Sequence, residues 1–254
     1  MKPRIVAVLN QKGGVGKTTT CVNLAHALAK LGKPVTVIDL DPQHHLAVAL
    51  GEVAVDRSGI DAVMLGERSL QEQMLSVRPC LSLVVAGPRL QAIEQLSEGG
   101  SHRGDLLRRG LAACPWLDQA VVLIDCPPSS GILVANALFA VDELLVPMTS
   151  DFMALQGLSH LMGTLKKFEQ VLAKNYRTTL VMSRYISNRR LSEDVLTTIK
   201  KYFPNQVLRT LIRETALLAE CPSFGKTIFE YRPGCRSAQD FASLAVDFIE
   251  GRVM

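Results

Sequence analysis

The stretch RIVAVLNQKGGVGKTTTCVNLAHALAKLGKPVTVIDLDPQ, residues 4–43, decides the fold. Ile5–Leu9 is a short apolar run fit for a buried strand, and Asn10–Thr19 is a glycine-rich turn. Leu24, Ala25, Leu28, Ala29 and Leu31 then recur at helical spacing until Gly32 stops them. Val35–Ile38 is a second strand, ending at Asp39. Strand, loop, helix and strand in that order form the parallel β-loop-α-β unit.

The same alternation continues outward. Strands are expected at Leu81–Val85, Val121–Ile124, Leu144–Val146, Thr179–Met182 and Val207–Ile212. Helices are expected at Ile132–Phe139, Leu155–Leu172, Leu191–Tyr202 and Ala238–Ile249. Between them, His45–Leu50, Ile60–Leu65 and Leu70–Leu75 read as short helices, and 98–104 (EGGSHRG) is the most loop-like stretch. The expected architecture is a single α/β domain over 1–254, a mostly parallel, doubly wound sheet with helices on both faces, of the P-loop NTPase kind.

Composition agrees with a folded chain. Apolar residues make up 48% and charged residues 20% of the 254, so a large core can form. No apolar run reaches the roughly 18 residues that a membrane span needs. The N-terminus reads as a strand and not as a signal peptide. Six scattered cysteines, none spaced C-x-x-C, read as reduced thiols of a cytoplasmic protein and not as a metal or cluster site. Net charge is uneven: residues 1–150 hold 13 Lys/Arg against 14 Asp/Glu, whereas 166–236 hold 14 against 6. Such a bias marks a candidate polyanion-binding face.

Lys12-Gly13-Gly14-Val15-Gly16-Lys17-Thr18 lies between the first strand and the first helix. Glycines let successive N–H groups turn inward around phosphate oxygens, and the helix N-terminus points at the same anion. Lys17 reaches the outer phosphates in such a loop, and the Thr18 hydroxyl takes the metal. Gln11 stands where the general pattern has glycine, and Lys12 beside it is an extra cation. Asp39 and Asp41 follow the second strand, and Asp125-Cys126-Pro127-Pro128 follows Val121–Ile124. Strand carboxyl ends are where ligands of open α/β sheets sit. Asp125 therefore suits magnesium held through a water. Asp39 and Asp41, two apart, are expected to divide between the metal and an attacking water.

NQKGGVGKTTT with its extra lysine, VIDLDPQ, LIDCPPS and the stretch 212–249 together resemble the ParA/Soj/MinD family of deviant Walker A ATPases. The resemblance covers nearly the whole chain and is weakest over 44–120. It implies ATP and Mg2+ as cofactors and a sandwich homodimer formed on ATP, with Lys12 crossing to the partner's phosphates. Lys17 and Thr18 match the Walker lysine and the magnesium ligand, with Gly13, Gly14, Val15, Gly16 and Thr19 completing the loop. Asp41 matches the carboxylate needed for hydrolysis, Asp39 its neighbour near metal and water, and Asp125 the Walker B carboxylate. Asn136 falls where members carry an asparagine after the second switch, and Pro222 falls near the adenine.

ParA types bind double-stranded DNA without sequence preference as ATP dimers, and a ParB-like activator stimulates slow hydrolysis. The resemblance therefore implies positioning of a cargo such as a plasmid, chromosome or protein complex in a nucleoid-associated, cytoplasmic setting. Candidate DNA contacts are Arg189, Arg190, Lys200, Lys201, Arg209, Arg213 and Arg236. A MinD-like membrane switch needs a basic amphipathic tail, and residues 240–254 instead hold three acidic and one basic residue, so no membrane partner is expected. A metabolic enzyme on the same scaffold is the other alternative. With the chain starting at the strand, no operator-binding extension is expected. His44 and His45 are read as surface or packing residues.

Overall fold

The computed structural model describes residues 3–52, 57–95, 104–116 and 120–254. Its centre is a seven-stranded sheet: β1 Arg4–Val8, β2 Val35–Asp39, β3 Leu75–Arg78, β4 Leu81–Val84, β5 Val121–Asp125, β6 Glu143–Met148 and β7 Arg177–Met182, in the spatial order β3-β4-β2-β5-β1-β6-β7. Every pairing is parallel except the β3–β4 edge, as a mostly parallel doubly wound sheet requires. The helices are α1 Lys17–Lys30, α2 His45–Ala49, α3 Ile60–Met64, α4 Leu70–Gln73, α5 Leu90–Gln95, α6 Leu106–Ala112, α7 Ile132–Ala140, α8 Phe152–Leu172, α9 Arg190–Tyr202, α10 Ala216–Glu220, α11 Ile228–Tyr231 and α12 Arg236–Glu250.

Successive side chains of a strand point to opposite faces, so each strand feeds two cores. Val6, Val8, Val37 and Leu123 pack with α1, α2 and α12. Ala7, Ile38, Ile124 and Met182 pack with α3 and with α5 to α9. Both faces are dry, which is why these strands read as unbroken apolar runs. Helix α12 contributes Phe241, Leu244, Ala245 and Phe248 to the first core, so its apolar side is already covered by protein.

Three readings need correction. Val207–Ile212 is not a strand: it touches β7 only through an isolated bridge at Val207 and further single hydrogen bonds, because Pro204 and Asn205, the latter with φ 57, bend the chain at its start. The short helix at Leu70 ends at Gln73, and Leu75 opens β3, a strand whose four residues are too few to show a period. Helices α5, α6, α10 and α11 were not anticipated. Residues 98–103 of the loop-like stretch lie outside the described residues.

Candidate functional site

Strand order places the ends of β1, β5 and β2 side by side. Asp125 stands opposite Val8 on one side and opposite Asp39 on the other, so the phosphate loop and both acidic segments emerge at one edge. Gly14 and Gly16 have φ of 72° and 83°, left-handed values that any other residue adopts only with strain, and they curl the loop into the N-terminus of α1. A cleft of about 810 Å³ opens over that turn. Its wall includes Gly13, Gly14, Gly16, Lys17, Thr18, Thr19 and Asp41. Val15 is buried, so only its backbone can serve a ligand.

Lys17 is 8% exposed. Burial lowers its pKa, and Asp125 and Asp41 pull the other way. Its ammonium makes one long hydrogen bond, 3.4 Å to the Lys12 carbonyl. A buried cation so weakly engaged is a receptor for an anion. Asp125 is its counterpart. It is fully buried and neither carboxylate oxygen has a hydrogen bond of good geometry. Burial pushes its pKa up to about 7, against the nearby Thr18 hydroxyl and the Lys17 ammonium. Two orphaned carboxylate oxygens beside a hydroxyl, with Asp41 in the wall above, fit the all-oxygen shell of a magnesium ion.

The two remaining carboxylates, Asp39 and Asp41, are held differently from each other. Asp39 is completely buried and its oxygens accept from the backbone N–H groups of Asp41 at 3.1 Å and Ala47 at 3.4 Å. Burial, then the neighbouring Asp125, raises its pKa well above the usual range. Both oxygens accept from backbone N–H groups, so Asp39 holds the Asp41 turn in place. Asp41 accepts from the Gln43 N–H at 3.0 Å and faces the cleft, where it can orient a water.

Lys12 does not line this cleft. Its ammonium pairs with both oxygens of Asp151 at 2.8 and 2.9 Å, and both side chains are about one-third exposed. Burial would raise the pKa of Asp151, but the Lys12 ammonium and the Thr149 hydroxyl hold it below the usual carboxylate range. Asp151 also caps α8 by accepting from the Ala154 N–H.

The cleft wall also contains residues that the sequence reading did not single out: Ser183, Arg184, Ile212, Glu214, Thr215 and Phe241. Ser183 and Arg184 follow the carboxyl end of β7, so the strand-end rule that located Asp39 and Asp125 could have found them. Pro222 lines an adjoining hollow of about 230 Å³ that shares Thr18, Thr19, His45 and Leu218 with the cleft. Asn136, fully buried, ties α7 to α6 by accepting from the Leu107 N–H. His45 reaches the cleft rim while His44 starts α2 with φ 58; among the described residues no group of three potential metal ligands forms.

The seven basic candidates do not form one set. Arg189 and Arg190 at the start of α9 and Lys200 and Lys201 at its end are exposed, as are Arg209 and Arg236. Arg213 is held differently from the other six: its guanidinium forms a bidentate pair with Asp240, a residue 6% exposed, and lines the cleft, while its own side chain stays 38% exposed.

The chain is similar to known proteins over nearly its whole length. Residues 3–178 match the family model for an AAA domain. The chain is 34% identical to the chromosome partitioning protein ParA of Caulobacter vibrioides over 97% of its length and 94% of the relative's. It is also 34% identical to the sporulation initiation inhibitor protein Soj of Bacillus subtilis, covering 95% and 96% of the two chains. The chain belongs to the ParA/Soj family of ATPases. Among solved structures, cobyrinic acid a,c-diamide synthase of Mycobacterium smegmatis with bound ADP and magnesium superposes with a TM-score of 0.82 at 28% identity, over 100% of this chain and 98% of that one. A plasmid partition protein of Borrelia burgdorferi superposes with a TM-score of 0.78 at 21% identity, covering 98% and 99%, and supports the fold alone. No helix of the described residues is long and apolar enough to cross a membrane.

Proposed function

We propose that this chain is a ParA-type switch. It binds ATP with magnesium in the cleft over Gly13–Thr19, dimerises across the nucleotide, holds DNA without sequence preference and positions a cargo until a ParB-like partner triggers hydrolysis. The observation that carries this reading is the place of Lys12. A phosphate loop with a second lysine keeps that lysine outside its own cleft, on an ion pair with Asp151 that is about one-third exposed. A cation so placed is available to the nucleotide of a second copy. Lys17 and the loop N–H groups take the phosphates, and Thr18 and Asp125 hold the magnesium ion, which supplies charge neutralisation at the outer phosphates. Asp41 orients the attacking water. Once the outer phosphate is gone, Lys12 loses its partner and the dimer state loses population.

The decisive experiment is a salt-series DNA-binding assay with ATP, with ADP and without nucleotide. Binding that needs ATP and falls steeply with salt supports the reading; binding that ignores the nucleotide removes it. Arg189 and Arg190 replaced together by Glu are expected to weaken binding and to reduce the salt slope, by up to about 4 for a dimer that presents each residue twice. An unchanged slope moves the DNA face elsewhere on the chain.

The Lys12–Asp151 pair adds a concentration prediction. Asp151→Asn keeps the α8 cap and removes the charge that parks Lys12. An ion pair this exposed contributes roughly 0.2–1 kcal/mol, so the ATP-dependent dimer should form at a protein concentration a few-fold lower. Sedimentation velocity across a dilution series measures this. A dimer that weakens in the variant assigns Asp151 to the dimer state instead.

A further inference from the structure

Two consecutive side chains at the end of β7 lie against the phosphate loop. The Ser183 hydroxyl donates to the Val15 carbonyl at 2.5 Å, and it is 3% exposed. The Arg184 guanidinium donates from Nη1 to the Gly14 carbonyl at 3.3 Å, while Nε and Nη2 both donate to Glu214 Oε1, at 3.0 and 2.7 Å. Arg184 reaches this position with φ 50, a left-handed backbone that side-chain-bearing residues rarely take. Strain of this kind persists only where surrounding contacts impose it, and it collects at ligand sites.

The consequence follows from the planarity of the trans peptide. The Gly14 carbonyl shares a plane with the Val15 N–H, and the Val15 carbonyl shares one with the Gly16 N–H. In each plane the two dipole ends point in opposite directions. Tethering both carbonyls to donors on β7 therefore fixes where the Val15 and Gly16 N–H groups point. It also withdraws two partial negative charges from competition with a phosphate.

We propose that Ser183 and Arg184, with Glu214 holding the guanidinium, are positioning residues that pre-set the phosphate loop in its anion-binding conformation. Neither is required to touch the nucleotide. The role rests on the reading that phosphates sit in the loop over Gly13–Thr18. Loop order before binding lowers the entropic cost of binding, so the effect falls on affinity for ADP and ATP alike and on KM more than on kcat.

The test measures ADP and ATP affinity, KM and kcat for Arg184→Ala, Arg184→Lys, Glu214→Ala and the Arg184→Ala/Glu214→Ala double variant, with Lys17→Ala alongside. Arg184→Ala should weaken both nucleotides about tenfold, and Arg184→Lys should recover part of the loss, since an ammonium still reaches the Gly14 carbonyl. Glu214→Ala should weaken binding several-fold, and the double variant should be no weaker than Arg184→Ala, because both changes break one chain of contacts. Arg184→Ala affinities within twofold of the parent overturn the proposal. Tighter binding in Glu214→Ala also overturns it, because a guanidinium freed from Glu214 would then be contacting the nucleotide directly. Retained binding in Lys17→Ala is a separate result and sinks the loop assignment itself. Should Arg184→Ala fail to fold, Arg184→Lys and Glu214→Ala carry the test.

Discussion

Lys17→Ala should abolish nucleotide binding. The expected loss exceeds a hundredfold, because the substitution removes the buried cation at the mouth of the loop. Lys17 is nearly enclosed, with one long hydrogen bond to its own loop and two carboxylates, Asp125 and Asp41, acting on it. A charge in that position is costly until an anion arrives, so much of its interaction energy is released only when phosphate binds. Alanine leaves the loop N–H groups but not the charge. Titration with a fluorescent nucleotide, with and without magnesium, measures the change. Affinity within a few-fold of the parent would falsify the assignment of the loop.

Asp125→Asn is expected to separate stability from function. The carboxyl has a folded pKa of about 7, whereas an unfolded aspartate titrates near 3.9. Between about pH 4 and pH 7 the folded state therefore binds the extra proton, and stability falls as pH rises through that window. Above pH 7 the buried, unpaired carboxylate costs on the order of 4 kcal/mol. Asparagine removes the charge but leaves an amide with few partners, and the loss of an anion near Lys17 offsets part of the gain. The net expectation is a nucleotide-free variant that melts several degrees above the parent at pH 8 and close to it at pH 5.5. The same variant should lose magnesium-dependent ATP turnover. Thermal melts at the two pH values and a magnesium titration of hydrolysis test both halves. A variant melting below the parent at pH 8 would show that Asp125 is stabilised in a way its surroundings do not reveal.

These two predictions concern residues that were legible in the chain. Lys17 opens α1 directly after the glycine-rich turn and Asp125 ends β5, positions whose chemistry follows from local composition. The pattern was also enough for the parallel sheet, because strands dry on both faces must read as apolar runs. It was not enough where an element was short. Leu75–Arg78 carries only four residues, so nothing separates a strand there from the end of the helix before it. Val207–Ile212 failed for the opposite reason. Its residues suit a strand, but after the bend at Pro204 and Asn205 the segment meets β7 only through an isolated bridge and single hydrogen bonds.

Side-chain roles were harder to read than positions. Asp39 and Asp41 look equivalent in VIDLDPQ, yet backbone N–H groups occupy both oxygens of Asp39 while Asp41 faces the cleft. Arg213 contributes to a basic count, but its charge is matched by Asp240, which arrives from α12 twenty-seven positions later. Charge counts along a sequence cannot register such pairings.

The sequence by itself determined the fold class, the phosphate loop with Lys12, Lys17 and Thr18, and the acidic strand ends at Asp39, Asp41 and Asp125. Each of these rests on neighbours within a few residues, where periodicity and turn chemistry are decided. Only the tertiary structure decided which carboxylate is orphaned, that Lys12 is parked on Asp151, and that Ser183 and Arg184 tether the carbonyls of Val15 and Gly14. Those facts depend on contacts between segments more than a hundred residues apart, which the parallel strand order, and no local signal, brings to one edge of the sheet.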